Sequence, residues 1–428
     1  MMSLAATSTL ALHPTPKWTP TYNMTLSTAH MPCNYSGMYD AREAARWGIA
    51  DFDWSNAKLL WANDKPMNSE ALLIQQAEAV KAANPHTRVF VYRNLVKALP
   101  WFGSVRAKLE NPAYSGWFLT FKPGSNYSSP PCTGALCSML YHDQDQTPST
   151  SPDADGRCFE ACDCGSLPCG EYLWDHRNES LRRWLLDEYL FGPSALGHSG
   201  IDGLFLDDGW VDTTQPNPWW GPPEGFCTSG PFGGPTEVFP NCTHDMGLSQ
   251  ADVSAITAGW RTTAAQAYEK ALSTGKWVWQ LFETVGSPPR DRGGCVRYFQ
   301  EACAPNSTMQ TAATFFGLSG PKTKPLPSVH QDVASFLLVR GPFSWLGYQW
   351  LGCVSCKRTP TDPSGLCDPT GRYERPGALD IDYGEPLGLC AESSAGSAIF
   401  EREWSKARVS FDCGSWSGSI VPHGNGDE

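Results

Sequence analysis

The 428-residue sequence has no apolar stretch approaching the roughly 20 residues that a helix needs to span a bilayer, which argues against a membrane protein. It is also short of basic residues: 32 Lys and Arg stand against 44 Asp and Glu, for a net charge of −12. Nucleic acids and anionic membrane surfaces attract basic proteins, so we expect neither as a partner. A neutral ligand is easier to accommodate.

Two motifs are missing as well. No glycine-rich phosphate loop follows an early strand, which disfavours a doubly wound nucleotide-binding sheet. Asp207 and Asp208 are adjacent acids that could hold a metal ion. No His-x-His or Glu-x-x-His spacing accompanies them, so a metal-dependent hydrolase is the less favoured alternative. We therefore predict no cofactor and no metal. At 41% hydrophobic and 18% charged residues, the composition is that of a globular protein with a sizeable core.

Cysteine, by contrast, is abundant. Sixteen cysteines occur in a chain with six Asn-x-Ser/Thr sequons, which together indicate an oxidising compartment and a secreted or extracellular protein. The first 13 residues lack a basic region and a sustained apolar core, so no signal peptide is evident. The predicted glycosylation sites are Asn23, Asn34, Asn126, Asn178, Asn241 and Asn306.

The clustered cysteines from Cys158 to Cys169 would suit tetrahedral zinc in isolation. In an oxidising compartment, disulfides that staple a long loop are the simpler interpretation. We expect most or all cysteines to be paired, largely locally between Cys132 and Cys169. We also expect Cys353 or Cys356 to bond within the segment that ends at Cys390.

Strand-like and helix-like segments alternate for more than three hundred residues, which predicts an α/β fold, specifically a (β/α)8 TIM barrel over residues 30–390. Residues 1–29 form an N-terminal extension, and residues 391–428 a short β-hairpin and tail packed on the barrel. Long loops at 122–170, 211–247 and 352–389 follow strands and would wall a cleft. The predicted strands are 47–54, 88–92, 116–121, 171–175, 201–207, 276–283 and 343–350, and the predicted helices are 69–83, 178–190, 250–273 and 329–339.

The most informative segment is Gly-Ile-Asp-Gly-Leu-Phe-Leu-Asp-Asp-Gly-Trp at residues 200–210. An apolar run of strand length ends there in Asp207 and Asp208, which is how a barrel strand delivers an acid to an active site. Residues 171–175 end similarly in Asp175. A buried ion pair is the structural alternative, but no basic residue lies near Asp207 and Asp208 in sequence.

Several strings resemble known proteins. Tyr-Leu-Trp-Asp-His-Arg-Asn at 172–178, the 200–208 strand, Asp-Tyr-Gly-Glu-Pro-Leu-Gly at 382–388 and Phe-Glu-Arg-Glu-Trp at 400–404 are similar to the central and closing segments of uncharacterised glycosyl-hydrolase-like TIM-barrel families. The resemblance covers most of residues 30–420. It implies a barrel with a glycosidase-like site in which Asp207 is the catalytic carboxylate.

Glycosidic cleavage needs one carboxylic acid and one carboxylate, and Asp207 and Glu283 each close an apolar run. Neighbouring strands lie about 4.8 Å apart, so their ends could bring two carboxyls within the roughly 5–9.5 Å of a glycosidase pair. We expect Asp207 as nucleophile or electrostatic base and Glu283 as acid/base. The sequence leaves retention and inversion of the anomeric configuration open.

Sugar rings stack on exposed indoles, so aromatic residues near the strand ends are candidate contacts. Trp210, Trp279 and Tyr348 are expected to floor the cleft, although each is individually as compatible with a core position. Asp175 and Arg177 would hold sugar hydroxyls or orient Asp207, while Asp208 would contact substrate or cap a turn. His176 fits a packed polar role equally well. The remaining predicted contacts are Trp219, Trp220 and Trp350.

The sequence thus favours a secreted glycoside hydrolase acting on a polysaccharide or glycan. The alternative is a non-catalytic carbohydrate-binding or extracellular structural glycoprotein on the same scaffold, because a fold alone does not determine activity. The carboxylate pair separates the two: a binding protein needs aromatic platforms but no pair of acids at glycosidic spacing.

Overall fold

The computed structural model describes residues 15–34, 37–64, 66–122, 139–141, 171–210, 242–280, 284–318, 328–348 and 375–423. The chain divides into two compact units, taken separately below. The larger unit comprises His30–Phe282 and Trp350–Tyr373, and the smaller unit comprises Met1–Ala29, Glu283–Gln349 and Glu374–Glu428. Strand β1 (Thr28–His30) lies where the sequence passes from one to the other.

The described elements of the larger unit alternate between helices and strands. In chain order they are α1 (Ala41–Ala44), β2 (Ile49–Phe52), α2 (Lys58–Asn63), α3 (Ser69–Ala83), β3 (Arg88–Asn94), β4 (Lys97–Ala98), α4 (Gly103–Leu109), β5 (Leu140–Tyr141), β6 (Glu171–Leu173), α5 (Glu179–Trp184), β7 (Gly203–Asp207), α6 (Gln250–Ser273) and β8 (Trp277–Gln280). Short 3-10 or π turns occupy Pro112–Trp117, Leu185–Tyr189 and Cys242–Met246.

Four parallel strands form the central sheet of this unit, in the order β2-β3-β7-β8. Their residues are mostly buried and apolar, as expected for a parallel sheet covered on both faces. Gly203 begins β7 where the Phe90 ring of β3 packs, since a Cβ there would lie 2.4 Å from that ring. The strand order ascends without a reversal, as it does in a barrel. The predicted parallel α/β class is confirmed for this unit, and closure into an eight-stranded barrel stays a prediction.

Two helices of the larger unit have the bounds expected from the sequence. Helix α3 begins after Asn68, whose side chain accepts from the Ala71 amide, and buries Leu73, Ala77 and Val80. Helix α6 begins with a capping box, in which Ser249 and Asp252 each accept a hydrogen bond from the backbone N–H of the other. No helix in the described ranges is both long enough and apolar enough to cross a membrane.

The segment 171–175 corrects one expectation. It is not a strand of the parallel sheet: β6 pairs antiparallel with β4 and β5 in a separate three-stranded sheet. The segment 116–121, also predicted as a barrel strand, instead leaves a 3-10 turn and makes a single bridge from Phe118 to Trp174. The Tyr-Leu-Trp pattern is typical of a buried strand, but an apolar run carries no information about which sheet the strand joins.

The smaller unit combines a parallel and an antiparallel sheet. Its elements are β9 (Thr284–Val285), α7 (Arg292–Ala302), α8 (Thr308–Thr311), β10 (Thr314–Gly317), α9 (Val329–Val339), β11 (Ser344–Tyr348), β12 (Ala391–Glu392), β13 (Ile399–Glu403), β14 (Ala407–Asp412) and β15 (Ser417–Pro422). Strands β9, β10 and β11 are parallel. The C-terminal region is more than the predicted hairpin, since β12 to β15 form a four-stranded antiparallel sheet against which α9 packs.

Two disulfides tie helix α7 and its end to the C-terminal region: Cys295 to Cys413 and Cys303 to Cys390. Cys33 and Cys242 are disulfide-bonded as well. Because Cys390 pairs with Cys303, it is not the partner of Cys353 or Cys356, and the expected bridge of one of those two within the segment that ends at Cys390 stays a prediction. The cysteines from Cys132 to Cys169, with Cys353 and Cys356, lie outside the described residues.

Candidate active site

Acidic side chains gather at the carboxyl ends of the parallel strands in the larger unit. Asp51 and Asp53 lie at the end of β2, and Asp207 and Asp208 at the end of β7. Strand β3 lies between β2 and β7, and its residue Asn94 stands opposite Asp207 of β7. Strand β3 therefore contributes polar groups to the same edge of the sheet. We call these five residues, together with Tyr92, Lys97 and Glu171, the acid cluster.

Both carboxylate oxygens of Asp207 accept a hydrogen bond. The Tyr92 hydroxyl donates to Oδ2 at 2.9 Å, and the backbone N–H of Asp208 donates to Oδ1 at 2.9 Å. Asp207 and Asp208 are partly exposed, whereas Tyr92 is buried. The Tyr92 hydroxyl and the Asp208 amide therefore fix the orientation of Asp207, while its carboxyl group stays accessible to a ligand.

Asp208 adopts a left-handed backbone conformation with φ of 56°, which is uncommon for residues other than glycine. That conformation accompanies the short contact from its N–H to Asp207. Its side chain is held in turn: Oδ2 accepts from Asn94 Nδ2 at 2.7 Å and lies 3.7 Å from the Lys97 ammonium. Backbone strain of this kind persists only when surrounding contacts impose it, and it concentrates at functional sites.

Lys97 brings a cation to this edge. Its ammonium lies 3.1 Å from Glu171 Oε2, and both side chains are largely buried. The chain reverses after β3 because Asn94 Oδ1 accepts hydrogen bonds from the amides of Val96 and Lys97, at 2.8 and 2.7 Å. Antiparallel pairing of β4 with β6 then places Lys97 beside Glu171.

Asp51 is fully buried, and neither of its carboxylate oxygens has a hydrogen-bond partner of normal geometry among the described residues. Burial first and then the charge of Asp53 raise its pKa well above that of an ordinary aspartate, and the Phe52 amide only partly offsets this. Asp53 is anchored differently, since its Oδ1 accepts from the backbone amide and the hydroxyl of Ser55. A buried carboxyl without such donors is most stable when it carries a proton.

The pKa of Asp207 is raised to about 8, mainly by burial and then by the charge of Asp208. Lys97 and the Tyr92 hydrogen bond act in the opposite direction. Burial and the charge of Asp207 also raise the pKa of Tyr92, so its hydroxyl keeps its proton and remains the donor. At neutral pH Asp207 therefore carries its proton most of the time, as a general acid must.

Among the described residues, no group of three or more His, Cys, Asp and Glu side chains is arranged to hold a metal ion.

Comparisons with known proteins leave the family open. No known family matches the sequence, and no curated protein matches it either. Among solved structures, the chain is similar to a family GH13_31 enzyme at 9% identity, with 92% of each chain covered and a TM-score of 0.41. It is also similar to sucrose 6F-phosphate phosphorylase from Thermoanaerobacter thermosaccharolyticum at 10% identity, covering 94% of this chain and 97% of that one with a TM-score of 0.42.

A third similar structure is cyclic alpha-maltosyl-(1→6)-maltose hydrolase from Arthrobacter globiformis, at 12% identity over 89% of this chain and 84% of that one, with a TM-score of 0.34. TM-scores of this size do not establish a common fold, and identities near 10% do not transfer a function. Function has to be argued from the acid cluster itself.

Asp175 and Arg177 lie away from the acid cluster in their contacts. Arg177 forms a bidentate ion pair with Asp175, with a shortest distance of 2.7 Å, and also contacts Asp252 at the start of α6 at 2.5 Å. Neither residue orients Asp207, whose two oxygens are held by Tyr92 and Asp208. Both line an open cavity of about 540 Å³ whose other described walls are largely apolar, including Leu109, Phe118, Leu119, Met139 and Leu248. His176 is a packed core residue, because it is fully buried, its Nε2 contacts the Leu95 carbonyl oxygen, and burial lowers its pKa to about 4.

The three aromatic residues predicted to floor the cleft belong to different units. Trp210 and Trp279, in the larger unit, expose 0% and 1% of their surface, so neither offers a free ring face for a sugar. Tyr348 belongs to the smaller unit, where it ends β11 and is 7% exposed. Glu283, Trp219, Trp220 and Trp350 lie outside the described residues and stay predictions.

The sequons also differ. Asn23 and Asn306 are exposed, while Asn34 donates to the Met38 carbonyl oxygen. Asn178 caps helix α5 and donates to the Gly116 carbonyl oxygen. Asn126 and Asn241 lie outside the described residues. Sequence reasoning overlooked Tyr92, Asn94, Lys97, Asp51 and Asp53 as site residues. The available signals were the two acids at the end of β2 and the polar Arg-Asn pair that closes the apolar β3.

Proposed function

We propose that this protein is a glycoside hydrolase that cleaves a polysaccharide or glycan by a two-carboxylate mechanism, with Asp207 as one of the two carboxyls. One observation carries the proposal: a partly exposed carboxyl at the end of a parallel strand has both oxygens oriented and a pKa near 8. Hydrolysis of a glycosidic bond needs such a group, because the leaving oxygen must be protonated at neutral pH.

Asp207 suits the role of general acid better than that of nucleophile, the role expected from the sequence. Its proton passes to the glycosidic oxygen as the bond from that oxygen to the anomeric carbon breaks, and an alcohol leaves. The anomeric carbon is then attacked either by a second carboxylate or by a water that this carboxylate deprotonates. In the first case water later releases the sugar and returns a proton to Asp207.

Glu283 is our candidate for the second carboxylate. It follows the end of β8 by three residues in sequence, and β8 pairs with β7. Its role is a proposal that rests on this sequence position and on the need for a partner to Asp207. Replacing Glu283 by Gln should reduce hydrolysis as severely as replacing Asp207.

The test compares Asp207→Asn with Asp187→Asn across a panel of natural glycans. Both changes remove one carboxylate charge, but Asp187 is exposed and pairs with Lys270 on the surface of the larger unit. Asp207→Asn keeps the shape and should lower turnover by about three orders of magnitude or more, with glycan binding largely retained. Asp187→Asn should behave as wild type. Glycan binding by the wild type without hydrolysis of any panel member would favour the non-catalytic carbohydrate-binding alternative.

We further propose that the protein follows the secretory route. The disulfides Cys295–Cys413 and Cys303–Cys390 support this, as do the exposed sequons at Asn23 and Asn306. Protein expressed in secreting eukaryotic cells should carry N-glycans at these two asparagines, detected by mass spectrometry before and after enzymatic deglycosylation. Unmodified asparagines at both positions would contradict the proposal.

A further inference from the structure

We infer that Asn94 is the positioning residue of this site: a single buried amide holds both hydrogen-bond donors that orient Asp207. The inference rests on the proposed function insofar as Asp207 is the acting carboxyl. Its geometric content can be tested without any substrate.

Two groups donate hydrogen bonds to the carboxylate of Asp207. Tyr92 donates to Oδ2 and the Asp208 backbone to Oδ1. The Asn94 side-chain nitrogen donates to the Tyr92 hydroxyl oxygen at 2.8 Å and to Asp208 Oδ2 at 2.7 Å. Each hydrogen of that amide therefore holds one of the two groups that determine where Asp207 points.

The side-chain oxygen of Asn94 is engaged as well. Its oxygen accepts from the backbone N–H groups of Val96 and Lys97, which can only donate. The amide cannot be flipped, because its NH2 group would then face two N–H donors. The turn after β3, the position of Lys97 and the orientation of Asp207 are consequently linked through one side chain.

The hydrogen-bonding capacity of the Asn94 side chain is fully used. Asn94 is 0% exposed and all four of its hydrogen-bonding positions are used. An aspartate at this position would keep the two acceptor bonds but lose both donors, and it would set a carboxylate against Asp208. A serine would be too short to bridge Tyr92 and Asp208. Asparagine is the side chain that satisfies the donors and acceptors together.

The experiment uses Asn94→Asp and Asn94→Ser in the full-length protein, with Asn84→Asp and Asn84→Ser as matched controls. Asn84 lies before β3 at the opposite end of the strand, where its side chain bridges the Ala45 carbonyl oxygen and the His86 amide. Three readouts are compared: kcat against KM, the pH dependence of kcat/KM, and the titration of Asp207 by carboxyl-carbon NMR. The Asp207 resonance is assigned from its loss in Asp207→Asn.

Both Asn94 variants should lower kcat by about 10- to 100-fold with little change in KM, because a small misplacement of a reacting group has effects of this size. Asn94→Asp should also move the Asp207 titration and the alkaline limb of the pH profile to higher pH. The Asn84 variants should leave both unchanged. An Asp207 titration identical to wild type in folded Asn94→Asp would overturn the inference.

Asn94→Asp could fail to fold, and two milder changes cover that outcome. Asn94→Ser adds no charge, and Tyr92→Phe removes only one of the two donors to Asp207. Each should shift the Asp207 titration upward; an absence of shift in both would overturn the inference. If the wild type hydrolyses no glycan but Asp207 titrates as described, the proposed function fails while the role of Asn94 stands.

Discussion

At the residue scale, burial and neighbouring carboxylates determine the protonation of the site. They raise the pKa of both Asp51 and Asp207. Lys97 acts against this at Asp207, and its ammonium lies 3.1 Å from Glu171 and 3.7 Å from Asp208.

Replacing Lys97 by Met removes the charge that lowers the pKa of Asp207. In the proposed role of general acid, Asp207 acts while protonated, so wild-type activity should fall as pH rises through its pKa of about 8. The alkaline limb of the kcat/KM profile of Lys97→Met should therefore lie at higher pH than that of wild type. Lys270→Met, which removes a surface cation paired with Asp187, should leave the limb in place. A shift to lower pH in Lys97→Met would contradict this assignment.

Asp51 is expected to make stability depend on pH. Its pKa is raised in the folded protein, so the stability associated with its proton is fully present below the unfolded value near 4. That contribution is lost as pH rises toward the folded value. Asp51→Asn cannot ionise, so its free energy of unfolding should improve relative to wild type between pH 4 and pH 8. Urea unfolding at both pH values measures the difference; a constant offset would mean that Asp51 is not the protonated group.

Sequence patterns revealed Asp207 because an apolar strand ending in acids is a local signal. Tyr92 and Asn94 were overlooked because their significance comes from register: Asn94 stands opposite Asp207 across two strands that are about a hundred residues apart in sequence. Lys97 reaches the site through a side-chain-stabilised turn that no periodicity encodes. The acid could thus be predicted, and its supporting residues could not.

At the scale of elements, the longer helices could be predicted from the sequence and the short strands could not. Helices α3, α6 and α9 have the expected bounds, since their apolar periodicity runs for three turns or more. Strand β6 has three residues, and its sheet depends on β4 and β5. The role predicted for Asp175 changed with it, because the residue faces Arg177 instead of Asp207.

The capping box of α6 offers a test at this scale. Ser249→Ala removes the side chain that accepts from the Asp252 amide, and such losses cost about 1 kcal/mol of unfolding free energy. The control, Thr262→Ala, lies on the exposed side of the same helix and should change stability by less than about 0.5 kcal/mol. Equal effects of the two changes in urea unfolding would contradict the importance of the cap.

At the scale of the whole molecule, covalent links within the smaller unit close long stretches of chain. The two disulfides join residues 118 and 87 positions apart. Cross-links over stretches of this length restrict the unfolded chain by an amount worth roughly 4–5 kcal/mol in the chain-entropy account. The cysteine count predicted disulfides, but it did not predict these two pairings, because connectivity cannot be deduced from spacing.

The double variant Cys303→Ser and Cys390→Ser should accordingly lower the free energy of unfolding by about 2–5 kcal/mol. The two serines occupy little volume, so the loss reports the cross-link. Denaturant unfolding of the variant beside wild type, both without reductant, measures it. Unchanged stability would show that this bridge contributes nothing to the folded state.

Asp207 is proposed to donate the proton to the departing oxygen, and the dependence of the rate on the leaving group measures that proton transfer. Asp207→Ala should lose several orders of magnitude in kcat/KM on glycosides of poorly acidic alcohols. It should keep much of its activity for bond cleavage on dinitrophenyl glycosides, whose leaving group needs no proton. An equal, severe loss on both substrates would contradict the claim and assign Asp207 the role of nucleophile.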